Sequence, residues 1–282
     1  MRLAVIGDVH HHWDAQDVAL LDAAGYDLIV FVGDLAGLRL RGTLAVARAI
    51  ATLTSPVLVV PGNHDAPNAM QLLGEMLHSR ALIRLADRDT GGRRDAIAAA
   101  LGEGTLAGYS RHPLVDGLEL IAARPHSMGG PTLSFAPYLS RRYGVESMED
   151  SAQRLIALVD ASPAQNLLFV GHNGPTGLGA RRDSIWGCDF KADEGDFGDP
   201  DLRAAIDHAR ATGRRVVGVV AGHMHRRLRG GGRRTERVEE DGVLYVNAAR
   251  VPRIWSEGGV QRRHHVALTW DGDRLDAQEV IW

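Results

Sequence analysis

Three stretches decide the fold of this 282-residue chain: Arg2–Val9 (RLAVIGDV), Asp27–Asp34 (DLIVFVGD) and Pro56–Asn63 (PVLVVPGN). Each is a short run rich in Val, Ile and Leu that contains a glycine near its end, which is typical of strands covered on both faces. The segments between them, Ala15–Ala24 and Thr43–Thr52, have helical spacing and a composition rich in Ala and Leu. This β-α-β-α-β order predicts a mostly parallel sheet with right-handed crossovers.

The rest of the chain is irregular in the middle and rich in β-structure at the end. Helices are predicted after Pro67 and at Ser147–Val159, a long loop at Arg124–Tyr143, and an acidic surface loop at Ser184–Asp201. Further strands are predicted at Leu118–Pro125, Asn166–Gly171, Val216–Ala221, Gly242–Ala248, His265–Asp271 and Arg274–Ile281. Because Asp271-Gly272-Asp273 separates the last two, they should form a hairpin. We expect one α/β domain over residues 1–282, with two packed sheets flanked by helices.

The composition excludes several classes of protein. A net charge of −3 provides no basic field, so a dedicated nucleic-acid surface is not expected. Cys188 is the single cysteine, so no intrachain disulfide can form. The sequence contains neither a signal-peptide pattern nor an apolar run of about 18 residues, the length of a membrane span. These features predict a cytoplasmic protein with no membrane partner.

Polar residues follow five of the predicted strands. They occur as Asp8-Val9-His10, Gly33-Asp34, Gly62-Asn63-His64-Asp65, Gly171-His172 and Gly222-His223-Met224-His225. Asp-x-His or Gly-Asp alone carries little information, whereas Gly-Asn-His-Asp and Gly-His-x-His directly after a strand are much more specific. Since the carboxyl ends of strands in α/β sheets gather binding sites, we expect these five motifs to converge.

The residue types in these motifs are those of a metal centre. Seven candidate ligands are Asp8, His10, Asp34, Asn63, His172, His223 and His225. They could hold two divalent ions, because the two oxygens of Asp34 allow it to contact both. The mixture of imidazole and carboxylate favours Mn, Fe, Zn or Co over Mg, which prefers oxygen ligands.

The ordered series of motifs from Asp8 to His225 resembles the calcineurin-like metallophosphoesterases. This resemblance implies a four-layer αββα sandwich of two mixed sheets, with a dinuclear metal centre. It also implies that one ion is held by Asp8, His10 and His225, the other by Asn63, His172 and His223, with Asp34 bridging the two. Asn247 extends the match to the family beyond His225. Gly7–Asp14 and Tyr245–Arg253 are similar to an uncharacterised branch of this family found in cyanobacteria and chloroplasts.

The chemistry of such a centre predicts a phosphoesterase. Two ions about 3.5–4 Å apart can lower the pKa of a shared water, whose hydroxide then attacks a clamped phosphate group. His64 is the candidate general acid for the leaving oxygen, and Asp65 would orient it and keep it protonated. The alternative is that His64 only completes the turn. The expected substrate is a small phosphorylated molecule.

Three other features are open to two interpretations. Arg124 and Arg250 are candidate substrate-binding residues, because each lies in a loop near a strand end. The arginine-rich stretch 226–237 is either a solvated hairpin tip or a phosphate-binding element. The acidic stretch Asp189–Asp196 is either a lid or plain surface.

Alternative functions remain at this point. The stretch Gly33–Gly37 lacks the Asp-Arg-Gly extension typical of the Ser/Thr protein phosphatases of the superfamily, which disfavours that activity. A phosphodiesterase acting on cyclic or short nucleotides would have the same five motifs. A noncatalytic metal-binding scaffold is a third possibility, although such a protein would be expected to lose ligands.

Overall fold

A computed structural model describes residues 1–37, 39–65, 69–77, 79–86, 90–115, 117–191 and 195–282. Within these ranges the chain forms two β-sheets and eight helices. The strands are β1 (Arg2–Ile6), β2 (Leu28–Phe31), β3 (Val57–Val59), β4 (Thr105–Leu106), β5 (Ser110–Val115), β6 (Leu118–Ala122), β7 (Asn166–Val170), β8 (Arg215–Ala221), β9 (Arg237–Glu240), β10 (Val243–Asn247), β11 (Ile254–Glu257), β12 (Val260–Trp270) and β13 (Leu275–Ile281). The helices are α1 (Ala15–Ala24), α2 (Leu40–Ile50), α3 (Ala69–Met76), α4 (Arg80–Ala86), α5 (Thr90–Ala100), α6 (Ala136–Tyr143), α7 (Met148–Asp160) and α8 (Pro200–Ala211).

Both sheets are mixed, as the sequence predicted. The first has the order β11-β12-β1-β2-β3-β4, and β13 also pairs with β12. Strands β1 to β4 are parallel, whereas β12 runs antiparallel to β1 and forms the predicted hairpin with β13. The second sheet has the order β5-β6-β7-β8-β10-β9, with parallel strands inside and an antiparallel strand at each edge.

The two sheets share one apolar layer. Val5 and Val30 of the first sheet belong to the same buried cluster as Leu120 and Val170 of the second. Successive side chains of a strand point to opposite faces, so every second residue of each strand faces this layer. The shared cluster therefore lies between the sheets.

The helices cover the two outer faces. Ile6 and Phe31, on the other face of the first sheet, pack in a cluster with Leu21 of α1 and Val46 of α2. The outer face of the second sheet contributes residues such as Phe169 to a separate cluster, which includes the buried sides of α7 and α8. The order of layers is helix, sheet, sheet, helix, which is the predicted αββα sandwich.

Two helices begin at capping boxes formed by residues of their first turn. The Asp14 side chain accepts from backbone N–H groups at the start of α1, while Asp17 accepts from the Asp14 N–H. Ser147 and Asp150 form the same reciprocal arrangement at the start of α7. Such capping boxes satisfy amide groups that have no partner within the helix.

Two predicted loops were wrong in part. The stretch 124–143 contains α6, whose helical signal is obscured by surrounding Gly, Pro and Ser but whose Tyr138 and Leu139 are buried. In the stretch predicted as a surface loop at 184–201, Ile185, Trp186 and Cys188 are at most 1% exposed, so these residues belong to the core. The helix predicted after Pro67 is α3, although Pro67 itself lies outside the described residues.

The strand register aligns the ends that lead to the functional motifs. Ile6 of β1 lies opposite Phe31 of β2, and Phe31 lies opposite Val59 of β3. In the second sheet, Val170 lies opposite Val220. The loops after these strands consequently emerge at a common edge. In the described part of the chain, no helix combines the length and apolar character that a membrane crossing needs.

Candidate metal centre

The loops that follow β1, β2, β3, β7 and β8 meet at the carboxyl ends of the two sheets. Backbone hydrogen bonds join them in pairs. The His10 N–H donates to the Asp34 carbonyl at 2.8 Å, and the Gly222 N–H donates to the His172 carbonyl at the same distance. The five sequence motifs therefore form one cluster.

Asp8, His10 and His225 form the first group of donor atoms. One ligand atom from each lies within 4.8 Å of the others. The Nε2 atoms of His10 and His225 are 3.3 Å apart, and His225 Nε2 lies 3.8 Å from Asp8 Oδ1. Asp8 Oδ2 accepts from the His223 N–H, but Asp8 Oδ1 is buried and has no hydrogen-bond partner in the described structure. Burial, followed by repulsion from Asp34, raises the pKa of Asp8 well above its usual range. A bound cation would satisfy this oxygen and remove that penalty.

Asp34, His172 and His223 form the second group, with Asn63 beside them. Their ligand atoms also lie within 4.8 Å of one another. Asn63 Oδ1 lies 2.9 Å from His172 Nε2, and His223 Nδ1 lies 3.2 Å from the same Nε2. Donor atoms of Asn63 and His223 thus both lie close to His172 Nε2.

The hydrogen bonds on the outer side of two imidazoles set their tautomers. Since a carbonyl oxygen only accepts, His172 must donate its Nδ1–H to Val32 O, at 2.6 Å, and His223 its Nε2–H to Met128 O, at 3.1 Å. In the neutral rings, the inner nitrogens, His172 Nε2 and His223 Nδ1, then carry lone pairs that face each other. Two lone pairs at 3.2 Å repel unless a cation lies between them, and an outer N–H bond of this kind is common for histidine ligands.

Asp34 belongs to the second group but also reaches the first. Its Oδ1 is 3.6 Å from His172 Nε2, and its Oδ2 is 3.6 Å from His10 Nε2. Each carboxylate oxygen therefore faces a different group of donors. This arrangement suits a carboxylate that bridges two ions.

Burial keeps the histidines of the site in the form that binds metals. It lowers the pKa of His223 to about 3, with a further contribution from neighbouring His172, and that of His225 to about 4, with a contribution from His10. Burial also lowers the pKa of His10 and of His172. Neutral imidazoles, carboxylates and an amide oxygen fit divalent transition-metal ions, for which the nitrogen must be unprotonated.

Glycines next to the ligands allow the close packing of the site. A Cβ atom on Gly62 would overlap Asp34 Oδ1, and one on Gly222 would overlap Asp8 Oδ2. Any larger residue would push a carboxylate away from its position. This explains why Gly precedes both Asn63 and His223.

The backbone of the ligands is strained. Asp8, His10, Asp34 and His223 have φ angles of 43°, 42°, 51° and 66°. Residues with a Cβ atom rarely adopt this left-handed region, and each costs on the order of 1–3 kcal/mol. Strain concentrated on four candidate ligands is typical of a functional site held in place by its surroundings.

Comparison with known proteins identifies the family of the chain. The sequence pattern of the calcineurin-like phosphoesterases matches residues 1–227. The chain belongs to this family. It is a hydrolase that acts on phosphoric esters, and its substrate is accordingly phosphorylated. No curated protein matches the sequence.

Solved structures share the fold at low sequence identity. A dimetal phosphatase from Danio rerio is 11% identical with a TM-score of 0.55, and the match covers 100% of this chain and 98% of that one. The protein TT1561 of Thermus thermophilus is 12% identical with a TM-score of 0.53, covering 98% of this chain and 97% of that one. PhoD is also 12% identical, with a TM-score of 0.55, covering 100% of this chain but 68% of that one. At these identities the likeness concerns the fold alone.

His64 of this phosphoesterase lies at the rim of the centre, but not as a partner of Asp65. Its ring meets the His10 ring edge-on, with centroids 5.5 Å apart, and its N–H donates to Asp34 Oδ1. Asp65 instead accepts from the N–H groups of Leu35 and Gly62, each at 2.7 Å. His64 Nδ1 is buried without a hydrogen-bond partner among the described residues. Among the hydrogen bonds of the described residues, none joins the side chains of His64 and Asp65, and the contacts of Asp65 hold the turn together.

Two buried residues outside the ligand set support the centre. His126 Nδ1–H donates to Gly62 O at 2.7 Å, directly beneath the turn that carries Asn63. Asn247 donates to the Met224 carbonyl at 2.7 Å, between the two histidines of the last motif. The sequence marked Asn247 as part of the family match and placed His126 in a loop near a strand end, but it did not indicate that His126 is buried against Gly62.

The two predicted substrate-binding arginines have different environments. Arg124 is 1% exposed and donates to Asp199 and Asp201 at 3.0 and 2.8 Å, which favours a structural role. Arg250 is half-buried, and its guanidinium lies 3.7 Å from the centroid of the Trp255 ring. Only Arg250 is therefore placed where a ligand could reach it.

The acidic and arginine-rich stretches contact each other. Arg234 is buried, donates to Asp189 at 3.0 Å, and also donates to the carbonyls of Arg182 and Ser184. The Arg229 N–H donates to Asp189 as well. These contacts hold Asp189 against the arginine-rich stretch 226–237. Residues 192–194 of the acidic stretch lie outside the described part of the chain.

Proposed function

We propose that this chain hydrolyses a small phosphorylated molecule with two divalent metal ions. One ion would be held by Asp8, His10 and His225, the other by Asn63, His172 and His223, with Asp34 between them. The position of Asp34 is the observation that carries the proposal, because each of its oxygens lies 3.6 Å from a histidine of a different group. Donors come from both sheets, which favours one catalytic domain over residues 1–282.

The ligand set suggests the identity of the ions. Four imidazoles accompany two carboxylates and one amide oxygen, so Mn, Fe, Zn or Co is favoured over Mg. Once bound, such ions lower the pKa of a water molecule and withdraw charge from phosphate oxygens. The protein supplies their spacing through Asp34 and the ligand tautomers through Val32 O and Met128 O.

His64 is proposed to protonate the leaving oxygen. Its backbone is anchored on Asp34, its ring lies beside His10, and it is only partly buried. A general acid must reach the leaving group from the rim of the site, and a ring in this position can do so. Asp65 would act indirectly, by fixing the turn through the amides of Leu35 and Gly62.

Metal analysis and two chromogenic substrates test the proposal. The protein should contain up to two transition-metal ions per chain. With added Mn it should hydrolyse p-nitrophenyl phosphate. Bis-p-nitrophenyl phosphate measures whether diesters are also cleaved, which is the activity expected of a phosphodiesterase for cyclic or short nucleotides. If the protein contained no metal and hydrolysed neither compound, the proposal would be contradicted. Bound metal without turnover of either compound would favour the noncatalytic metal-binding scaffold.

A further inference from the structure

An arginine-lined cavity opens beside the candidate metal centre. It has a volume of about 370 Å³ and is lined by four arginines together with an aromatic ring; those residues are Arg226, Arg227, Arg233, Arg250 and Trp255. We call it the arginine cavity. Its volume is within the range of pockets that hold small ligands.

The cavity is attached to the metal centre through the backbone. Arg226 directly follows the candidate ligand His225, and its N–H donates to the Ala249 carbonyl, next to Arg250. The preceding residue, Ala248, packs against Gly7, which precedes Asp8. The backbone that carries the cavity lining is therefore joined directly to the loops that carry His225 and Asp8.

The charges of the cavity are only partly balanced. Arg226 forms ion pairs with Glu236 and Glu279, and Glu279 also contacts His264. The ion pairs found in the described residues include none formed by Arg227, Arg233 or Arg250. Burial, together with neighbouring Arg226, lowers the pKa of Arg250, while Glu236 and Glu279 act in the opposite direction. An anion would relieve the remaining repulsion.

The arrangement of these arginines suits a phosphoryl group. Arg227 and Arg233 are exposed and lie opposite each other in a backbone bridge, so both guanidinium groups extend from one hairpin. The Trp255 ring supports one face of Arg250 at 3.7 Å and leaves its N–H groups, which lie in the plane of the guanidinium, free to donate. Guanidinium groups bind phosphate oxygens in pairs of parallel hydrogen bonds.

We infer that the arginine cavity binds a second phosphoryl group of the substrate, while the first is cleaved at the metal centre. The inference rests on the proposed function, and it narrows the substrate class to small molecules with two phosphoryl groups. It also separates the roles of the four arginines. Arg226 is held by carboxylates, whereas Arg227, Arg233 and Arg250 contact the ligand.

A series of alkanediol bisphosphates tests this inference. KM for the bisphosphate with the best chain length should be at least about tenfold lower than for the alkyl monophosphate of the same length. The preference should weaken at high ionic strength. Replacing Arg227 and Arg233 together, as Arg227→Gln with Arg233→Gln, should remove most of the preference. An ω-phosphonooxy carboxylic acid serves as a third substrate, and equal preference for it would overturn the assignment to a phosphoryl group.

Arg229→Gln is the matched control. Arg229 belongs to the same stretch but contacts Asp189 through its N–H and the Phe190 ring through its guanidinium, away from the cavity lining. This variant should keep the preference for bisphosphates. If it lost the preference as completely as the double variant, a general effect of positive charge would replace the specific site.

Calorimetry separates this inference from the proposed function. The protein as purified should bind inorganic pyrophosphate, and the affinity should fall about tenfold or more in the double variant but not in Arg229→Gln. Absence of turnover combined with this binding pattern would contradict the proposed function and support the cavity. Turnover of monophosphates with no preference for any bisphosphate, or equal pyrophosphate binding by all three proteins, would overturn the inference.

Discussion

The two groups of metal donors differ in their exposure to solvent. In the first group, the side chains of His225 and His10 are 42% and 21% exposed. In the second, His172 is fully buried and its outer N–H is held by the carbonyl of Val32, the residue that follows β2. His64 and the arginine cavity both lie beside the first group. The second group is therefore the buried half of the centre and the first is the exposed half, which in the proposed function faces the substrate.

Loss of Asp34 should have the largest effect, because it removes the link between the halves. Asp34→Asn retains the shape but weakens both ion sites and the bond that anchors His64. We expect loss of both ions and a fall in kcat well beyond the roughly 10–100-fold typical of residues outside the ligand shell. Metal analysis measures the loss of ions, and hydrolysis of p-nitrophenyl phosphate measures the fall in kcat. Asp207→Asn, on an exposed side of α8, is the control, and two retained ions in Asp34→Asn would refute the bridging role.

Removal of His64, which lies beside the exposed first group, should slow the reaction without loss of metal ions. His64→Ala should keep both ions and reduce kcat by about 100- to 10,000-fold for esters with poor leaving groups. Esters whose leaving oxygen needs no proton should be affected far less. A leaving-group series measures the difference. An equal loss across the series would contradict the general-acid role and favour a purely structural one.

Replacing one histidine from each group should destabilise the protein by different amounts. His172→Ala leaves a buried cavity and an unpaired Val32 carbonyl, so we expect the metal-free protein to lose about 2–4 kcal/mol. His225→Ala should cost less than about 1 kcal/mol, because its ring is partly exposed. Each variant should also lose one ion. Denaturant unfolding in the presence of a chelator measures the difference, and His208→Ala on α8 is the control. If His172→Ala and His225→Ala lost equal free energy of unfolding, the two groups would not differ in burial as described.

Acid should destabilise the metal-free protein through these histidines, with the smallest effect. Burial lowers the pKa of His223 to about 3 and that of His225 to about 4, against 6.5 for free histidine. Above pH 6.5 the rings are neutral in both folded and unfolded chains. As pH falls from 6.5 toward 4, only the unfolded chain gains protons, so stability declines, by about 1 kcal/mol after allowance for partial exposure. The free energy of unfolding, measured at pH 7 and pH 5, should show this decline, with His223→Ala for comparison. If the free energy of unfolding did not change with pH, the claim that these buried rings stay neutral would be contradicted.

Local patterns predicted much of the fold. The apolar runs ending at Val9, Asp34 and Asn63 became parallel strands, and the Asp271-Gly272-Asp273 turn joined β12 and β13 as expected. The pattern failed where burial rather than composition determines structure. Trp186 and Cys188 are buried in a stretch that looked polar and irregular, and α6 forms in a segment rich in helix breakers because its apolar side packs on the second sheet.

The sequence by itself determined the candidate ligands and their order, because a metal site of this kind needs particular side chains directly after particular strands. Only the tertiary structure decided which atoms meet. It brought the donors of each group implied by the resemblance within reach of one another, placed one oxygen of Asp34 near each group, and directed Asp65 to backbone amides rather than to His64. It also buried Arg124 while leaving Arg250 open beside Trp255. Residue spacing encodes the backbone direction, but the direction and burial of a side chain depend on neighbours that are distant in the chain.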